Sequence, residues 1–211
     1  MIEPENVSPA YPWPSADSPM ESHARTLDRC FAELEAALVE EGPVGRTFGA
    51  LRQIALEHDI PMAIVGGIAG NYYGLRRTTQ DVDIVVRKEQ LPLFGERAVA
   101  AGFVQEGPSR FSLEGGYPVD VLPSGTFPTP DSLWPTPTPA ELGVSAGLDY
   151  ADLSAWIGLK LLAGRPEDLG DIYRLLRPKK EAQRQELAAH LDPRAKSRYE
   201  QILADLRRRL S

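Results

Sequence analysis

The chain is poor in the residues that staple or metallate a small fold. It has one cysteine in 211 residues, Cys30, so no disulfide can form within it, and the fold must rest on its own hydrophobic core. A single unpaired thiol fits a reducing compartment, and Cys30 itself reads as a small apolar residue on a helix. The three histidines, His23, His58 and His190, are far apart and accompany no cysteine pair, which argues against a structural zinc site. No run approaches the roughly 20 apolar residues of a membrane span. The opening Met1-Ile2-Glu3-Pro4-Glu5 lacks the basic start and apolar stretch of a secretory leader, so the expected location is cytoplasmic. Cations are also in deficit. Lysine and arginine total 23 against 30 aspartates and glutamates, a net charge of −7, so the surface as a whole does not attract polyanions, although a local basic groove remains open.

The rest is ordinary globular composition, 42% hydrophobic and 25% charged. Prolines divide it. Five of them between Pro4 and Pro19 exclude regular structure at the start, so residues 1–22 are expected to form an extended arm. Apolar residues recur at helical spacing from His23 to Glu41 and again from Gly45 to Glu57, with Gly42-Pro43 between the two helices. The apolar run Pro61 to Val65 reads as a buried strand stopping at Gly66-Gly67, followed by a short helix from Ile68 to Leu75. Asp81 to Arg87, rich in β-branched residues, is the clearest strand in the chain. A helix over Glu89 to Ala101 is expected next. Strands follow at Phe103 to Gln105, Arg110 to Leu113 and Tyr117 to Leu122, the last two joined as a hairpin through Glu114-Gly115-Gly116. Six prolines between Pro123 and Pro139 mark an irregular crossover. Four helices then fill the chain, 151–163, 166–176, 179–190 and 193–210, two of them with proline in the first turn. The reading is an α/β (α+β) fold. Residues 23–140 form a core of small mixed sheet with N-terminal helices, and residues 141–211 a helical region packed on it.

Acidic residues inside apolar strands carry the chemical signal. Residues i and i+2 of a strand share a face, so Asp81 and Asp83 project together from backbone positions roughly 6 to 7 Å apart. Like charges this close repel unless a cation lies between them, and carboxylate oxygens are what magnesium prefers. Taken alone, Asp-x-Asp is also what the solvated face of an edge strand looks like. The turn at Gly66-Gly67, between a strand and a helix, would let backbone N–H groups approach a phosphate. Asp120, inside Tyr117 to Leu122, is a third acid in an apolar strand, able to join the other two if the strands are neighbours. Two metal ions about 4 Å apart need roughly this many carboxylates.

Together, Gly66-Gly67-Ile68-Ala69, Gly74 and Arg77-Thr78-Thr79-Gln80-Asp81-Val82-Asp83-Ile84-Val85 resemble the signature of the nucleotidyltransferase superfamily, whose minimal core is that of DNA polymerase beta. The run Leu159-Lys160, Ala163, Arg165, Asp168-Leu169 and Asp171-Ile172 is similar to the small bacterial branch containing the AbiEii-type abortive-infection toxins. The likeness covers about residues 61 to 176. It implies a metal site of Asp81, Asp83 and Asp120 holding Mg2+ or Mn2+, with Asp120 as ligand or general base. It implies a nucleoside triphosphate as substrate, contacted by Gly66, Gly67, Arg77, Thr79 and Lys160, with Asp81 itself as the alternative partner of Arg77. The implied chemistry is transfer of a nucleoside monophosphate to an acceptor by in-line displacement of pyrophosphate. By its residues Lys160 is expected at the margin of an apolar helix face, its ammonium aimed at the cleft, with Asp168 and Asp171, three apart on one helical face, orienting Lys160 or Arg165.

The sequence leaves the acceptor open among RNA, protein and small molecules, and an antitoxin-like protein partner is conceivable on the resemblance. An acidic acceptor pocket would favour cationic antibiotics; a basic groove would favour RNA. Arg207-Arg208-Arg209 reads either as a basic patch or as a solvated helix end. A domain that keeps the fold and binds nucleotide or protein without catalysis is the remaining alternative.

Overall fold

The computed structural model describes residues 42–128, 132 and 134–210. The expected arm, the first expected helix and Cys30 lie outside these residues. The elements are α1 (Pro43–Glu57), β1 (Met62–Ile64), α2 (Gly66–Tyr72), β2 (Val82–Val86), α3 (Leu91–Ala100), β3 (Phe103–Gln105), β4 (Arg110–Leu113), β5 (Val119–Pro123), β6 (Leu148–Tyr150), α4 (Leu153–Ala163), α5 (Pro166–Leu176), α6 (Glu181–Ala189) and α7 (Pro193–Leu210), with single 3-10 turns before α3 and β6. The mixed α/β architecture is the one expected. Among the described residues no helix is long and apolar enough to cross a membrane.

One six-stranded sheet runs in the order β3-β4-β5-β2-β1-β6. β2 lies antiparallel to β1 and parallel to β5, and the β4–β5 hairpin is antiparallel as its glycine turn requires. β6 has no counterpart in the sequence reading. Leu148-Asp149-Tyr150 is too short to show a period. It becomes a strand because Met62 to Ile64 offer a free edge, along which it pairs in parallel.

Alternation along β2 sorts the two faces of the sheet. Val82, Ile84 and Val86 enter the main core with Leu51, Ile54, Phe94, Phe111 and the apolar sides of α4, α5 and α7. The other face carries Val85, which packs with Ala63, Val65, Leu142, Val144 and Ala151. Asp83 belongs to this second face by the same alternation, and Asp81 stands just before the strand begins. Helix α4 is apolar nearly all round because it touches both clusters: Trp156, Ile157 and Leu161 reach the main core, and Ala155 and Leu159 reach the smaller one.

Helix α1 is fastened to the hairpin by one fully buried hydroxyl. Thr47 Oγ1 donates to the carbonyl of Tyr117 at 3.0 Å and accepts from its N–H at 2.8 Å. Thr47→Val keeps the shape and strands both backbone groups. It should lower stability by about 2 kcal/mol, read as a shifted urea midpoint with an unchanged slope.

Candidate active site

The site begins at the end of β1, where the chain turns through Gly66 into α2. Gly66 has φ +63°, and a Cβ there would overlap the Asp83 carboxylate. A Cβ on Gly67 would stand 2.7 Å from Thr79 Oγ1. The two glycines therefore admit the side chains of the segment entering β2. The Gly67 N–H donates to the Asp83 carboxylate, so in this structure that amide faces an aspartate of the chain itself. Trp156 holds the turn from α4, its Nε1–H donating to the Gly66 carbonyl at 2.9 Å.

Asp83 and Asp120 are exact cross-strand partners on the parallel β2–β5 pair, which sets them side by side on one face. Asp81 lies two residues before Asp83. Burial raises the Asp83 pKa, Asp81 and Asp120 add to that, and the Gly67 amide and the Lys160 charge oppose it, leaving it pushed up to about 6. The other two carboxylates have partners. Thr79 Oγ1 donates to Asp81 Oδ1 at 3.1 Å. Arg110, opposite Asp120 on β4, holds both its oxygens at 2.8 and 2.7 Å. As they stand, no three His, Cys, Asp or Glu side chains among the described residues are gathered to hold a metal. The donor set still fits a divalent cation, because Asp81 and Asp120 both lie close enough to act on Asp83, Asp83 is desolvated, and the arginine clasping Asp120 is a 45% exposed residue.

Behind these acids lies a buried charge network. Lys160 Nζ donates to Asp168 at 2.7 Å and to Asp171 at 2.9 Å. Arg77 donates to Asp171 at 2.7 Å, and Arg165 to Asp168 at 2.7 Å. Burial pushes the Asp168 carboxyl up, but hydrogen bonds from Arg165 and Lys160 outweigh it and hold the group below its usual range. Two expectations change. Lys160 is not at the margin of the apolar face of α4: it is 7% exposed, and its ammonium, though it lines the cleft, is spent on two carboxylates, with the Trp156 ring 5.0 Å away. Arg77 pairs with Asp171 rather than Asp81. Asp168 and Asp171 do orient Lys160 and Arg165. The cations on these two acids that face outward are Arg77, Arg165 and Arg174, which lies 3.6 Å from Asp171, with side chains 34%, 55% and 62% exposed. Arg77 passes beside Gly67, and Asn71 at the end of α2 fixes its backbone through two hydrogen bonds of 2.7 and 2.8 Å.

Thr79, expected at the nucleotide, spends its hydroxyl on Asp81. Gly66, Gly67, Asp81, Asp83, Asp120, Arg77, Thr79 and Lys160 thus do come together around one end of β2. Asn71, Arg110 and the Trp156 indole N–H were not legible in the sequence: Asn71 and Arg110 meet partners across turns whose geometry no hydrophobic period fixes, and Trp156 meets one on a distant element. A cavity of about 220 Å³ opens beside Asp83, walled by Gly66, Trp156, Leu159, Lys160, Arg165 and Thr136 among others.

No family model matches the chain, and no curated protein matches it in sequence. Among solved structures it is similar to the antibiotic-resistance factor ANT(2'')-Ia, with 13% identity over 78% of this chain and 96% of that one, at a TM-score of 0.43. An overlap this loose carries no function across.

Two outcomes are expected of the bare protein. The native Asp83 carboxyl binds its proton more tightly than the unfolded one, so stability falls as pH rises from about 4 to about 6 and stays lowered above that. Asp83→Asn should then be more stable than wild type at pH 7.5 by on the order of 1–3 kcal/mol, with the gap closing at pH 4 in chelator. Lys160→Met leaves Asp168 and Asp171 short of a buried counter-charge and should cost about 3 kcal/mol in a urea melt; a merely solvated lysine would cost almost nothing.

Proposed function

We propose that the chain is a metal-dependent nucleotidyltransferase, moving a nucleoside monophosphate from a nucleoside triphosphate to an acceptor hydroxyl. The observation that carries this reading is the packing of the Asp83 carboxylate against the Gly66-Gly67 turn while Asp83 stands in register with Asp120. The two halves of the motif meet as one site. A desolvated cluster of carboxylates is unfavourable unless it serves a cation.

In this reading Asp81 and Asp83 hold Mg2+ or Mn2+, and Asp120 joins them when Arg110 releases it. The metal supplies charge neutralisation and orientation for the phosphates. Arg77, steadied by Asp171 and Asn71, and Arg165, steadied by Asp168, supply cationic groups for the triphosphate; Lys160 fixes the acids that aim them. The glycine turn gives the phosphates close access to the backbone. The acceptor oxygen bonds to the α-phosphorus as the bond from that phosphorus to the oxygen bridging it to the β-phosphorus breaks, pyrophosphate leaves, and the hydroxyl proton passes to Asp120. The protein contributes position and charge rather than a covalent intermediate.

The direct test is incubation with each of four α-labelled triphosphates, Mg2+ and a mixture of RNA and small hydroxyl acceptors. Label transfer with pyrophosphate release is expected, and its loss in Asp81→Asn and Asp83→Asn. Triphosphate binding without transfer to any acceptor would leave a non-catalytic nucleotide-binding domain, and absence of binding would remove the reading. Arg110→Gln frees Asp120 and removes a cation from the cluster, so it should tighten Mn2+ binding several-fold, about 1 kcal/mol, by calorimetry.

A further inference from the structure

The cavity beside Asp83 has two unlike ends. At one end stand Asp83, Gly66, the Trp156 ring and the Lys160–Asp168–Arg165 group; the other is walled by Val85, Leu122, Pro128 and Leu159, with Thr136 among them. Thr136 is 4% exposed, and its hydroxyl has no hydrogen-bond partner among the described residues. Its backbone is pinned: the Thr136 N–H donates to the Thr126 carbonyl at 2.8 Å, and the Gly125 N–H donates to the Thr136 carbonyl at 2.7 Å. Gly125 and Thr126 directly follow β5, so the strand that carries Asp120 also sets the place of Thr136. A buried hydroxyl left unpaired is costly, and rotation about χ1 is the freedom that remains to it.

We propose that the apolar end receives the base of the nucleoside triphosphate and that Thr136 selects among bases; this rests on the nucleotide reading of the site. Size, polarity and charge agree. About 220 Å³ falls below the roughly 300 Å³ at which drug-sized pockets begin, so one small ring system fits and a multi-ring acceptor does not. Aliphatic walls suit a flat, uncharged heterocycle. A polycationic acceptor would find two carboxylates in the cavity wall, Asp83 and Asp168, and Asp168 is already bound by Lys160 and Arg165. The charged end, with Arg165, takes the phosphates. A hydroxyl both donates and accepts, so it meets either a carbonyl or an amino edge, and the selectivity is graded rather than absolute.

The test is calorimetric titration of the full chain with ATP, CTP, GTP, UTP and inorganic tripolyphosphate, each with Mg2+. At least one nucleotide should bind tenfold or more tighter than tripolyphosphate. Thr136→Val, nearly isosteric, should weaken the preferred nucleotide about tenfold while tripolyphosphate binding and thermal stability hold. Leu159→Trp, filling the cavity, should erase the advantage for all four. Tripolyphosphate binding as tightly as every nucleotide, or Thr136→Val keeping wild-type affinities and order, would overturn the base pocket while leaving the phosphate site. Failure of tripolyphosphate and all nucleotides to bind would overturn both readings. A base advantage without label transfer would keep the pocket and discard the transferase.

Discussion

The structure turns on one carboxylate held where carboxylates are unwelcome. Asp83 sits partly desolvated between Asp81 and Asp120, and it is tolerated because the Gly67 N–H bonds it and Lys160 lends charge from behind. Everything near it answers to that placement. Gly66 lacks a side chain because the carboxylate fills the space; Gly67 lacks one because Thr79 does. The glycine turn and the aspartate strand are therefore a single packed unit, each excluding alternatives in the other.

The helices after β6 complete this unit rather than merely covering it. Helix α4 brings Trp156 to the Gly66 carbonyl and Lys160 to the back of the site. Helix α5 answers with Asp168 and Asp171, buried to 1% exposure and shared among Lys160, Arg77, Arg165 and Arg174. Buried acids are costly alone and acceptable when so surrounded. Four cations on two acids leave net positive charge beside an acidic cluster, a polarity that suits a metal at one position and an anion at the next. The same helices wall the cavity, so substrate space and structural integrity depend on the same contacts.

Much of this was legible in the chain. The two-residue spacing of Asp81 and Asp83 at the start of a β-branched run brings them close, because a strand has a period of two. Gly66-Gly67 after an apolar run marks a turn, and prolines 166 and 193 mark helix starts, because their backbone chemistry leaves few alternatives. Helical spacing likewise forecast α1 and α4 to α7 to within a few residues, and the mixed α/β class followed from the order of the elements.

Tertiary structure alone decided the rest. That β5 lies parallel to β2 with Asp120 opposite Asp83 is a matter of register between segments more than 30 residues apart, and no local pattern encodes it. Lys160 on an apolar helix could face solvent or core; only the arrival of α5 with two aspartates makes burial affordable. Arg110 meets Asp120, Asn71 clamps Arg77, and Leu148 to Tyr150 becomes a strand because a neighbour presents a free edge. In each case the residue's own chemistry permits several partners, and the fold selects one by bringing it within reach.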